Sequence, residues 1–391
     1  VRYRQEIQVP FAYDVVFTRD LFGPGNDTIA ESIPRDEGAA RVAVFIDRGV
    51  AEGWPDLAGR VERWFHARRP GLELVAPPLE IPGGEDAKND IDLITRITKE
   101  LERHQLCRHS YVLVVGGGAV LDAVGFAAAL FHRGLRLIRV PTTVLSQSDS
   151  GVGVKNAVNL DGVKNLVGTF APPFAVLNDA LFLTRLDARD WTGGLSESFK
   201  VAAIKDAAFL DELEKLAPRL VARDLEAMEK VVIRCAVLHL DHIRGGGDPF
   251  ELGTARPLDF GHWSAHKLES LSRHEVRHGE AVAIGVALDL HAASRLGLIT
   301  AAERDRVVRI MERCGLKLWH PLLAERGEGG ELRIRAGLEE FRQHLGGRLT
   351  LTLPSGLGSK VEVHELPAAL VEEAVAWLEG RAAAASQPAR V

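Results

Sequence analysis

Four histidines, His262, His266, His274 and His278, fall within seventeen residues of a chain that has fourteen in all. Neutral imidazole binds zinc and similar divalent ions, and a catalytic zinc takes three protein ligands and leaves one position open. On a helix, His262 and His266 share a face with Glu269 one turn further on, and His274 and His278 repeat that spacing. A further ligand must come from another part of the chain. Glu197 is the candidate, because it sits on a helical stretch that is otherwise apolar on its side. A lone buried Glu is costly there unless it is paired or bound to metal. Any one of these histidines is equally explained as a hydrogen-bonded core or surface residue. The cluster as a whole points to one divalent metal ion.

A second group of residues suits an anion. Gly116, Gly117 and Gly118 follow an apolar strand and open a helix that carries Asp122. Glycines let a phosphate approach the backbone, and a helix N-terminus offers unpaired N–H donors. The triplet is not the GxGxxG fingerprint, and alone it also fits a plain β–α turn. Asp47 ends another strand, where a carboxylate can bind a ribose hydroxyl, and Thr142 and Thr143 end a third. Ligands of open α/β sheets collect at the carboxyl ends of strands. Glu85 and Lys88, in the loop GGEDAK at 83–88, either join that pocket or are solvated.

A third group is cationic. Residues 153–170 have the pattern of a hairpin around Asp161-Gly162, a good tight-turn pair. A two-residue turn would set Asn159 opposite Lys164 and place Lys155 on the same face, with Asn165 adjacent. Two lysines on one face of an apolar hairpin suit a phosphate or a carboxylate, although a lysine pair is more commonly just a solvated surface. Arg133 either adds a further cation or compensates the end of the preceding helix.

These residues need a scaffold, and the apolar patterning supplies one. Residues 42–46, 111–115 and 135–140 read as buried strands, with helices at 90–104 and 119–131 between them. Such alternation implies a parallel sheet with covering helices, an α/β fold. From about residue 187 the pattern is mostly helical, with spans at 196–216, 224–242, 281–296 and 301–314. A strand at 348–353 and a helix at 366–380 follow. The Ala-rich tail 382–391 is expected to be disordered. The domains expected are therefore 1–186, α/β, and 187–381, helical.

Length and composition agree. At 391 residues two domains are the default. A net charge of −6 argues against nucleic acid as the main partner, so an anionic substrate needs locally placed cations. No apolar run reaches the length of a membrane span, and residues 1–13 lack a signal-peptide core. Cys107, Cys235 and Cys314 are too scattered for a disulfide framework, and a cytoplasmic setting is expected.

Together these segments resemble the 3-dehydroquinate synthase family of sugar phosphate cyclases. The likeness spans about 47–285. It is carried by RG at 133–134, VPTTVLSQSDSGVGVKNAVN at 140–159, KNLVG at 164–168, GLSESFK at 194–200, LDFGH at 258–262 and HGEAV at 278–282. The resemblance implies an N-terminal Rossmann-like dinucleotide-binding domain, a C-terminal helical domain and a homodimer. It implies Glu197, His262 and His278 as ligands of a zinc or cobalt ion, with His266 touching substrate instead. Lys155, Lys164, Asn165, Lys200, Asp149 and Arg133 would surround the substrate. Asp47, Glu85, Lys88, the three glycines, Asp122, Thr142, Thr143, Leu145, Phe182 and Arg185 would hold NAD. The implied chemistry is a transient oxidation, loss of phosphate with the leaving group as its own base, reduction, and ring closure, so NAD is recycled.

Departures from the family pattern bear on the substrate. Members that make dehydroquinate have Asn at the position of Asp259 and Lys at the position aligned with His239. Arg256 stands one residue closer to the metal histidine than the family's arginine. The lysine pair expected near the C-terminus is replaced by RQHLGG at 342–347, which contains His344. Trading a fixed cation for His and an amide for a carboxylate disfavours a substrate carboxylate. A neutral hydroxymethyl group suits Asp259 better, since a carboxylate accepts hydrogen bonds from hydroxyls. The expected substrate is thus a phosphorylated seven-carbon sugar, sedoheptulose 7-phosphate. Asp259 with His266 resembles the 2-epi-valiolone synthases, whereas the 2-epi-5-epi-valiolone synthases commonly have Pro at the latter position. The alternatives are 3-dehydroquinate synthase, a metal-dependent NAD polyol dehydrogenase, which would not need Lys155 and Lys164, and a non-catalytic binding protein that keeps the fold.

Overall fold

A computed structural model describes residues 1–34, 38–161, 163–246, 249–251, 257–344 and 346–385. The chain divides into two compact units, Val1–Thr142 with Gly151–Arg185, and Thr143–Ser150 with Leu186–Val391. Residues 143–150 therefore belong to the second unit, although by sequence they fall inside the expected 1–186 domain.

The first unit runs β1 (Asp14–Thr18), α1 (Thr28–Ser32), β2 (Ala40–Asp47), α2 (Arg48–Gly53), α3 (Leu57–His66), β3 (Leu72–Leu74) and β4 (Leu79–Ile81). It continues with α4 (Asp86–Asn89), α5 (Ile91–Arg103), β5 (Tyr111–Gly116), α6 (Gly118–Leu130) and β6 (Arg136–Pro141). The hairpin β7 (Lys155–Leu160) and β8 (Val163–Phe170) and the strand β9 (Ala175–Asp179) complete it. The main sheet is parallel in the order β1-β9-β6-β5-β2-β3, with β4 also paired to β2. Its central strands are buried on both faces, which is why they read as unbroken apolar runs. Val42, Val44 and Ile46 of β2 enter one core and Ala43 and Phe45 the other.

The hairpin departs from the expected simple turn. Val158 pairs with Val167 but Leu160 pairs with Val163, so Asn159 alone faces residues 164–166. Such a bulge breaks the two-residue alternation of the strand. Asn159 turns inward and is 4% exposed, while Lys155 stays exposed. Lys155, Asn159 and Lys164 thus do not form the single face that ideal pairing predicts. Asp161 and Asn165 take the left-handed backbone conformation that the irregularity demands, with φ of 50° and 55°.

The second unit is helical: α7 (Ala188–Gly193), α8 (Leu195–Lys205), α9 (Ala207–Val221), α10 (Leu225–Gly245), α11 (His262–Leu271), α12 (His278–Arg295) and α13 (Ala301–Arg313). Then come α14 (Ala336–His344), the antiparallel pair β10 (Leu351–Pro354) and β11 (Lys360–Val363), and α15 (Ala368–Ala385). The single helix expected over 196–216 is two. Asp206 leaves helical geometry at φ −153° and caps α9 through the N–H groups of Ala208 and Phe209. The expected tail at 382–391 is helical as far as Ala385, and its remainder lies outside the described residues.

Candidate functional site

In the second unit, Glu197 lies on α8, His262 opens α11 and His278 opens α12. Close backbone contacts place them. Gly261 takes φ 81° before His262, and a side chain at Gly285 would strike the Gly261 carbonyl, so α11 and α12 meet backbone to backbone. Asp289 of α12 accepts from Gly261 N–H at 2.9 Å and from the indole of Trp263 at 2.8 Å, pinning the residues on either side of His262. Burial pushes the Asp289 carboxyl up to about 7.

Glu197 Oε1 stands 3.8 Å from His262 Nε2 and 3.7 Å from His278 Nε2. Ligands at about 2.0–2.1 Å from a tetrahedral zinc are separated by roughly 3.3–3.5 Å, so a small adjustment would complete the set. The remaining ring nitrogens agree with that reading. His262 Nδ1 is 3.1 Å from the Phe260 carbonyl and His278 Nδ1 is 3.2 Å from Glu269 Oε2. Each partner accepts a hydrogen bond from Nδ1–H, the tautomer that leaves Nε2 with a lone pair for metal. Burial, with Lys200 and His278 nearby, holds His262 well below the ordinary imidazole value, so it is neutral and ready to ligate.

His266, Glu269 and His278 form an overlapping donor group. Its Glu269–His278 link uses Nδ1, the atom that orients His278 toward Glu197, so the two groups describe one centre and its support. His266 stacks on His278 at 6.0 Å between ring centroids. His274, expected to share a helix face with His278, instead sits in the exposed turn between α11 and α12 with φ 65°. Glu269 was visible in the sequence only as a residue near the cluster, because its partner is nine positions away. Glu269→Gln should weaken metal binding about tenfold, read by competition with a chromophoric chelator.

Behind the centre lies a buried ion network. Lys200 pairs with Glu197 and sits 2.8 Å from Asp149, which a π-helical turn at Ser146–Ser150 presents. His239 of α10 holds its Nδ1 2.9 Å from the other Asp149 oxygen. Burial pushes Asp149 up, but the Lys200 ammonium and His239 outweigh it and hold the carboxyl well below its usual range. Burial likewise raises Glu197, and Lys200 opposes that. Lys200 itself, though 2% exposed, is kept charged by the two carboxylates. Asp259 is half-buried in the short turn before Phe260. Arg256 and the His344 side chain lie outside the described residues.

In the first unit, three strand ends carry the residues expected to hold a dinucleotide. Asp47 is 8% exposed, caps α2 through Gly49 N–H at 2.8 Å, and reaches Gly117 N–H at 3.5 Å. Burial raises its carboxyl above the ordinary value. A side chain at Gly116 would strike Val120 and Asp47. Gly117 precedes α6 without a side-chain cap, so the amides at Gly118 and beyond face an open turn. The Thr142 hydroxyl is buried with no partner among the described residues. Bare amides, a carboxylate and an orphan hydroxyl at adjoining strand ends fit a dinucleotide. Phe182 packs on Trp54 and the Arg185 guanidinium lies 5.3 Å over the same ring, so here they serve packing. Thr143 and Leu145 fall in the second unit, where Thr143 bonds Ser146.

The loop at Glu85 and Lys88 is built in, not solvated. Lys88 is 4% exposed and joins Asp122 at 2.7 Å and the Asn165 side chain. Asn159 donates to Glu85 at 3.1 Å and to Asn89 at 2.8 Å, and Lys164 lies 3.7 Å from Glu85. The bulged hairpin is therefore tied to α4 and its N-terminal Glu85, and Lys88 in turn ties α4 to Asp122 of α6. Arg133 is exposed, with φ 66°.

Comparison with known proteins agrees with this construction. Residues 78–193 match the model of the 3-dehydroquinate synthase N-terminal domain and 194–328 that of the C-terminal domain. The chain is 32% identical over 374 residues to a 2-epi-5-epi-valiolone synthase of Actinoplanes sp., covering 94% of this chain and 90% of that protein. It is 34% identical over 340 residues to the 3-dehydroquinate synthase of Acidithiobacillus ferrooxidans, covering 86% and 89%. The structure of ValA, the 2-epi-5-epi-valiolone synthase of Streptomyces hygroscopicus subsp. jinggangensis 5008 with NAD+ and Zn2+ bound, is similar at a TM-score of 0.86 and 30% identity, covering 97% of this chain and all of that one. The two-unit architecture, the buried metal-type triad and these matches place the chain in the 3-dehydroquinate synthase family of sugar phosphate cyclases.

Proposed function

We propose that this protein is an NAD- and divalent metal-dependent cyclase that converts sedoheptulose 7-phosphate to a cyclitol such as 2-epi-valiolone with release of phosphate, acting as a homodimer. NAD supplies a temporary hydride acceptor, and zinc or cobalt supplies Lewis acidity at the oxidised carbon. Glu197, His262 and His278 hold the metal, with Glu269 and the Phe260 carbonyl fixing the imidazoles. Asp47, the amides after Gly116 and the Thr142 hydroxyl bind the dinucleotide. Lys155, Lys164, Asn165 and Arg133 supply donors for the phosphate, which favours its expulsion. Lys200 is charged and donates within the metal centre, and His266 presents an imidazole to the substrate.

The observation that carries the substrate is the Asp149–His239 pair at 2.9 Å. Beside the metal triad in the second unit, the Lys200 ammonium and the His239 imidazole each lie against a carboxylate. A substrate carboxylate would compete with Asp149 for them and would also meet Asp259. A hydroxymethyl group instead donates to Asp259 without displacing either pair. The second reading, 3-dehydroquinate synthase, rests on the 34% identity to that enzyme.

Purified protein would be incubated with sedoheptulose 7-phosphate and, separately, with the seven-carbon keto-acid phosphate that dehydroquinate synthase uses. Phosphate release and product NMR are followed. The proposal expects turnover of the sugar phosphate with no net NADH. Turnover of the acid alone would replace it with the second reading, and accumulation of NADH would make the protein a dehydrogenase. The NMR spectrum separates 2-epi-valiolone from its 5-epimer.

A further inference from the structure

The first thirteen residues alternate with a strand's period. Val1, Tyr3, Ile7, Val9, Phe11 and Tyr13 occupy odd positions, which Gln5 alone interrupts, and Arg2, Arg4, Glu6 and Gln8 occupy even ones, before Pro10 and Ala12. Such a pattern belongs to a strand with one buried face. Yet residues 1–13 lie in no sheet, and Tyr3, Ile7 and Val9 are 84%, 80% and 62% exposed. The segment runs directly into β1, the edge strand of the main sheet. Over residues 1–9 this apolar alternation stays exposed, and such a face suits a partner strand from outside the chain.

The even face indicates which partner. Arg4 and Glu6 flank Gln5 and form an ion pair of 2.7 Å within the segment, with side chains 81% and 74% exposed. If two copies run antiparallel about a two-fold axis at Gln5, Arg4 of each faces Glu6 of the other. Arg2 then faces Gln8, Tyr3 faces Ile7, and Val1 faces Val9. Like meets like on both faces, and opposite charges meet twice. Pro10, which cannot donate to a ladder, falls beyond the paired run. A closed two-fold interface requires this self-complementarity, and an unrelated partner does not.

We propose that residues 1–9 form an antiparallel pairing strand with the same segment of a second copy of this chain, centred on Gln5. The proposal rests on the homodimer named above and is independent of the substrate. The test is sedimentation equilibrium of the full-length protein and of R4E, E6R and the double variant R4E/E6R. Each single variant places like charges opposite one another twice and should weaken the dimer by about tenfold. The double variant should restore it, because the opposite charges meet again. Ile7→Asp should weaken the dimer in every background. These residues are exposed within the monomer, so its circular dichroism and melting temperature should not change. A wild type that stays monomeric would sink the homodimer and the pairing strand together. A dimer indifferent to all four variants, or one that R4E/E6R fails to restore, would overturn the pairing strand alone.

Discussion

Glu197→Ala is expected to leave a folded protein that binds no stoichiometric zinc and turns over sugar phosphate at least ~1,000-fold more slowly, since an anionic donor and the Lewis acid it anchors are lost together. Glu197 is 1% exposed and is the carboxylate within 3.8 Å of both His262 Nε2 and His278 Nε2. Two neutral imidazoles alone make a poor site for a divalent ion. Removal of Glu197 also strips Lys200 of one of its two carboxylates, but Asp149 remains at 2.8 Å and keeps the ammonium compensated. The fold should therefore survive. Elemental analysis and circular dichroism on the same sample give the decision. A variant that retains one zinc per chain and near-normal turnover would show that the triad is not the metal centre and would revive the non-catalytic reading.

Lys200→Met should act in opposite directions on stability and on metal affinity. In the metal-free protein the ammonium is the cation shared by Glu197, which is buried, and Asp149, whose side chain is 14% exposed. Removing one partner of a buried ion network costs about 3–5 kcal/mol, because it leaves uncompensated charge. His239 Nδ1 stays 2.9 Å from Asp149. With zinc bound, the metal takes over as the counter-charge for Glu197. The repulsion between ammonium and metal ion is also gone, so affinity for zinc should rise. Urea denaturation with and without chelator measures the first effect and chelator competition the second. Equal destabilisation with and without metal would show that Lys200 serves packing and not the electrostatics of the centre. Turnover should fall in either case, since the lysine also donates within the site.

The resemblance and the residues together made the centre legible, but not its support. Glu197 and the histidine cluster could be singled out from residue type and local setting, because a buried carboxylate and a histidine cluster are unusual wherever they occur, whereas the choice of His262 and His278 among the four histidines came from the resemblance. Glu269 and Asp289 could not be ranked above other acids. Each acts on a residue far from it in sequence, Glu269 on His278 and Asp289 on Gly261 and Trp263. In the same way, the residues alone left Lys88 open between a ligand pocket and a solvated loop, and Asp122 and Asn165 claim it where α4 meets α6 and the hairpin.

Local patterning determined most elements of this protein, with both-face apolar runs for β2, β5 and β6 and glycines for the turn before α6, but it did not mark the break at Asp206 between α8 and α9. Those signals lie within a few residues of their effect, so composition and spacing were enough. Tertiary structure alone decided three matters. It turned Asn159 inward by setting it opposite three residues of β8, which no alternation rule anticipates. It moved residues 143–150 into the second unit, where Asp149 meets Lys200 and His239. It separated His274 from the Glu197–His262–His278 cluster by ending α11 before it. The contacts of Asp149 with Lys200 and His239, and of Asn159 with Glu85 and Asn89, join residues distant in the chain, and their energy is set by burial and charge that exist only once the fold has formed.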